Sequence, residues 1–195
     1  MPQTEISHTS FGDYLKDFVN YCIRPVRRVP DINNPAYSSK NLIGGFFVLF
    51  LFYMGVMSVL GKLLKLDEMD HAMLSMIDEM PLWGLFIIAV IVAPLIEEAI
   101  FRFPIRLFKG KWFPIAFWLF AVIFGFVHIS NFGGFDSGDY WKAPLLVFPQ
   151  LVLGFYLGFV RMQFSWPHAV GIHMLNNLIP MTMLIVATVF DIPIQ

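Results

Sequence analysis

Apolar runs long enough to cross a bilayer, broken at a few places by ionisable residues, constrain this chain more than any other feature. A helix needs about 20 largely apolar residues to span the hydrocarbon core. Residues 42–61 contain no charged side chain. A second run, 81–96, meets Glu97 and Glu98 and then resumes to Leu107, while 112–127 runs into His128. Residues 143–160 form a fourth run, and 162–190 hold no Asp, Glu, Lys or Arg. The expected fold is an all-α polytopic transmembrane helix bundle of about five spans. Pro180 leaves the last run open to division into two half-helices. Composition agrees, with 57% hydrophobic and 14% charged residues, against about 45–50% and 25% in soluble domains. A net charge of −1 gives no basic surface for nucleic acid, and a lone Cys22 cannot form an internal disulfide.

Two units are expected: a polar N-terminal segment, 1–40, and a transmembrane domain, 41–195. No apolar stretch closely follows Met1, so no secretory signal is expected. The sequence from Asp31 to Pro35 reads as a turn-rich joint. Leu63, Leu66, Met69, Met73, Met76 and Met80 recur at helical spacing, with Asp67, Asp70 and Asp78 between them. That pattern fits either an amphipathic helix lying in the interface or a polar loop. Lys16, Arg24, Arg27, Arg28, Lys40, Arg102, Arg106, Lys109, Lys111 and Arg161 fall on the N-terminal side of a five-span topology; Lys62, Lys65 and Lys142 fall on the other. The positive-inside rule then puts the N-terminus in the cytoplasm of a multi-pass cell-membrane protein.

An ionisable residue at span depth is a functional candidate by default. Glu97, Glu98 and Arg102 interrupt the second span, Phe124 and His128 close the third, and His173 and Asn177 sit in the fifth. Residues four apart share a helix face, so Glu98 and Arg102 can form a structural ion pair. Glu97 points about 100° away and is free to face another helix. His173 and Asn177 present an imidazole and an amide side by side. One carboxylate, two histidines and an asparagine could activate water and stabilise an oxyanion. Taken singly, each group has a plainer use as interfacial anchor or interhelical hydrogen bond, and His168 suits the headgroup region. Counting 1.5 Å per residue places Glu97 and His173 roughly 15 and 12 Å above the inner ends of their helices, but His128 roughly 24 Å up, a mismatch in depth.

The ordered set Glu-Glu-x-x-x-Arg, Phe-x-x-x-His and His-x-x-x-Asn resembles the CPBP family of intramembrane endopeptidases, which holds CAAX proteases, bacteriocin-processing or immunity proteins and Abi proteins. The likeness covers about 82–183 and is similar to a compact prokaryotic type II CAAX prenyl protease-like member. It implies that Glu97 is the general base, that His128 positions the attacking water, and that His173 and Asn177 stabilise the oxyanion. Glu98 and Arg102 are then architectural, and Phe124 is packing. It implies membrane lipid surroundings and a peptide or membrane-protein substrate. Members have been described as metalloproteases, so zinc is the alternative cofactor, with Glu97, His128 and His173 as ligands. A metal-free mechanism is favoured because it gives every motif residue one role. A non-proteolytic scaffold or immunity protein, and a transporter with a Glu/His proton relay, are the other readings.

Overall fold

The computed structural model describes residues 10–29, 37–64, 79–133 and 140–192. The turn at 31–35 and nearly all of the amphipathic stretch from Leu66 to Asp78 lie outside the described residues. The architecture is an all-α bundle of α1 (Phe11–Ile23), α2 (Ser39–Leu64), α3 (Leu82–Phe86), a π turn (Ile87–Val92), α4 (Ala93–Phe101), α5 (Trp112–Val127), α6 (Ala143–Leu146), α7 (Phe148–Gln163) and α8 (Trp166–Val189). Among the described residues, four stretches, Ser39–Leu64, Leu82–Leu107, Trp112–Asn131 and Trp166–Val189, are long and apolar enough to cross a membrane. A fifth becomes so only if the helices either side of Val147 count as one span, bent by 46°.

That bend corrects the simple fourth span. Pro149 lacks the N–H that would have bonded back to Leu145, so α6 ends and α7 starts afresh on a new axis. The boundary after it also shifts: Met162 and Gln163 finish α7, and α8 begins at Trp166 and continues through Pro180 as one helix. Gly110, at φ +54, makes the left-handed step between the second and third spans, a conformation glycine adopts without steric cost.

The N-terminal segment does more than its polar composition suggested. Ser10 accepts from the Asp13 amide at 3.2 Å and caps α1. Tyr14, Phe18 and Tyr21 then fall on one face and enter the core beside Tyr156, Phe159 and Phe117. Tyrosines among charged residues hid this stripe. Arg28 grips Asp17 with both terminal nitrogens, at 2.7 and 3.0 Å, and Tyr37 donates to the same carboxylate. Burial alone would lower the Arg28 pKa; the hydrogen bond and charge of Asp17 outweigh it and hold it above its usual range.

The site hangs on the contact between α5 and α7. Gly125 faces Leu151, Gly154 faces the Ala121 carbonyl and Phe124, and Gly158 faces Phe117. Small residues let helix backbones approach closely in lipid, where packing replaces the hydrophobic effect as the driving force.

Candidate active site

The second span is not a plain α-helix where it approaches the ionisable residues. The Ala93 N–H bonds five residues back, to Ile88, and Pro94 has no N–H. Neither the α nor the π partner therefore serves the Ala89 carbonyl. The side chain of Asn177 takes it instead, its amide nitrogen donating at 2.9 Å. Single π turns of this sort recur at functional sites; here α4 follows at once and carries Glu97 and Glu98.

Glu98 is fully buried. One of its oxygens accepts from His173 Nδ1 at 3.0 Å, and the other lies 3.7 Å from Arg102 Nε. Its main-chain carbonyl receives the Arg102 and Phe103 amides, both at 3.0 Å, and the Trp166 indole N–H at 3.0 Å. Arg102, also fully buried, donates Nη2 to the Gly154 carbonyl at 3.3 Å. Its guanidinium stacks 4.0 Å from the Phe124 ring centre. The Arg102 carbonyl in turn accepts from Arg161 Nε. The Glu98–Arg102 attraction is coulombic, since Glu98 Oε2, Arg102 Nε and Arg102 Nη1 are buried without a hydrogen bond.

Glu97 turns to the other side. Its Oε2 sits 3.7 Å from His128 Nε2 and 3.6 Å from His173 Nε2, buried and without a hydrogen bond. His128 Nδ1 lies 2.7 Å from the Phe124 carbonyl. A carbonyl can only accept, so Nδ1 carries the hydrogen and Nε2 of the neutral ring offers a lone pair towards Glu97. His173 touches both carboxylates, Glu98 through Nδ1 and Glu97 through Nε2. The Phe124 ring packs edge-on against His128 and His173, fixing both imidazoles.

Glu97, Glu98, Arg102, Phe124, His128 and His173 thus come together, and Asn177 reaches the π turn one step before them. The depth mismatch for His128 disappears. Counting axial rise assumed straight helices normal to the membrane, whereas the second span carries a π turn and α5 ends at the site itself. His168 is outside the constellation, exposed and bonded to Ser165. Three contributors were not anticipated: Pro94, Asn176 and Tyr53. Pro94 stands three residues before Glu97 and Asn176 beside Asn177, both visible cues; Tyr53 is a polar atom within an otherwise apolar span.

The zinc alternative can be set against this geometry. Glu97, His128 and His173 are acceptable donor types, but no three His, Cys, Asp or Glu side chains among the described residues are arranged to hold a metal ion. Glu98 binds His173 and Arg102, and the Asn177 amide is committed to Ala89.

Residues 79–179 match the family model described as type II CAAX prenyl endopeptidase Rce1-like. The match contains every motif residue from Glu97 to Asn177, while α1 and α2, with Tyr53, precede it. Neither a curated protein nor a solved structure matches the chain.

Proposed function

Because the chain belongs to the Rce1-like family of type II CAAX prenyl endopeptidases, a multi-pass membrane protein family, we propose that it hydrolyses a peptide bond within the membrane through a water activated by Glu97. One observation carries this reading: Glu97 Oε2 faces two imidazole nitrogens at 3.6 and 3.7 Å. A water there can donate to Glu97 and to the His128 Nε2 lone pair, which leaves its own lone pair for a carbonyl carbon. Glu97 takes the proton as the C–O bond forms. The tetrahedral oxyanion is met by His173 and by the second amide hydrogen of Asn177, the first being held by Ala89. Collapse breaks the C–N bond, and Glu97 returns the proton to the departing amine. Donation from His173 Nε2 requires the imidazolium form, because Nδ1 already serves Glu98. The formal charges of Glu97, Glu98, Arg102 and His173 then sum to zero, which suits a low-dielectric site.

Glu98 and Arg102 keep an architectural role in this scheme, and no metal takes part. The substrate is a peptide or membrane protein presented beside lipid, and the N-terminus lies on the cytoplasmic side of the cell membrane. Glu97→Gln, nearly isosteric, is expected to abolish hydrolysis while leaving abundance unchanged. Comparison of protein termini in membranes carrying the wild type or Glu97→Gln tests this. Identical termini in the two membranes would overturn the protease reading and favour a scaffold on the same fold. Elemental analysis of the active purified protein tests the metal-free scheme. Near-stoichiometric zinc, with activity lost to chelator and restored by zinc, would overturn it.

A further inference from the structure

A backbone carbonyl can only accept a hydrogen bond, and that single fact sets the direction of a longer chain of contacts. Ala89 O must be met by the nitrogen end of the Asn177 amide, which it is, at 2.9 Å. The oxygen end of Asn177 therefore faces Asn176, and only the Asn176 amide nitrogen can serve it, at 3.1 Å. Asn176 is left presenting its oxygen, which the Tyr53 hydroxyl meets as donor. Every link points one way: Tyr53 to Asn176, Asn176 to Asn177, Asn177 to Ala89. None can reverse without placing two acceptors together.

We propose that Tyr53 and Asn176 are positioning residues, whose one-way hydrogen-bond chain holds the Asn177 amide in the orientation that the Ala89 carbonyl sets and so keeps its second hydrogen aimed at the site. The inference rests on the hydrolytic reading above and adds residues to it. Tyr53 stands in α2, outside the matched residues 79–179, so the family likeness does not assign it. Its ring is 5% exposed in a helix where the neighbouring side chains are apolar. A phenol there needs a partner, and Asn176 is the partner it has. A terminal phenol donor polarises each later link, which makes the Asn177 N–H groups better donors than an isolated amide. The chain also joins three separate elements, α2, α8 and the π turn, at the level of the site.

Tyr53→Phe removes the first donor and keeps the ring. The chain's seven asparagines make selective 15N-asparagine labelling of the detergent-solubilised protein readable, with Asn176→Ala and Asn177→Ala assigning the two side-chain amides. Tyr53→Phe is expected to move the Asn176 and Asn177 amide proton signals upfield. Phe50→Leu alters the ring packed on Tyr53 at 5.2 Å without touching the chain, and is expected to leave them in place. With an internally quenched farnesylated peptide as probe, Tyr53→Phe should lower kcat about fivefold, the size of one neutral hydrogen bond, at unchanged KM. Asn177 signals that ignore Tyr53→Phe, or follow Phe50→Leu equally, would overturn the chain. Moved signals with unchanged kcat would overturn its positioning role. A wild-type protein that leaves the peptide intact counts against the hydrolytic reading, while the Asn177 signals still decide the chain.

Discussion

Glu98 is where residue-scale physics is most demanding. A fully buried carboxylate in an apolar bundle is tolerated only because His173, Arg102 and their partners surround it. Removing one partner of a buried pair leaves an uncompensated charge, at a cost of about 3–5 kcal/mol. Arg102→Ala is therefore expected to lower abundance and melting temperature, not to yield an abundant inactive protein. Normal yield and melting in detergent would refute that assignment. The sequence made the ionisable set legible, because charged residues within apolar runs need a reason to be there. It did not reveal that His173 touches both carboxylates. Helical spacing relates residues on one helix; the rotation of α8 against α4 depends on packing across the whole bundle.

Among the elements, the second span departs most from its simple reading. An unbroken apolar run reads as one α-helix, yet the run contains a π turn at Ile87–Val92 and stops at Phe101. Pro94 is the local cause, and the Asn177 side chain is the remote condition that stabilises it. Pro94→Ala restores an N–H and frees the α register, in which Ala93 competes with Asn177 for the Ala89 carbonyl. The expected result is a melting temperature no lower than wild type together with a fall in hydrolysis, since α4 presents Glu97 from a different angle. Full activity combined with unchanged Asn177 amide signals would contradict this role for the turn. The 46° bend at Val147 is a similar case. Hydropathy marks where a chain can be buried, but proline chemistry decides where its axis turns.

For the whole molecule, the number of spans was legible from apolar runs, while the part played by residues before the first span was not. Aromatic residues of α1 complete the core around α7, so truncation before α2 would expose Tyr156 and Phe159. The proposed orientation can be tested by cysteine scanning in a Cys22→Ser background. Burial pushes the Cys22 thiol up to about 12, which already makes it a poor target. Ser130→Cys, exposed just beyond α5, is expected to react with an impermeant thiol reagent from outside intact cells, and Ser39→Cys is not. The reverse labelling would invert the topology.

The contacts that complete the site are distant along the chain: 75 residues separate Glu98 from His173, 88 separate Ala89 from Asn177, and 123 separate Tyr53 from Asn176. The tie between Asp17 and Arg28 spans only 11. Synthesis runs from the N-terminus, so the Asp17–Arg28 tie can form early, whereas Glu97 waits for α8 before it has both imidazoles beside it. Under the proposed mechanism, a nascent chain carries a base with nothing to hold its oxyanion until α8 has entered the bilayer.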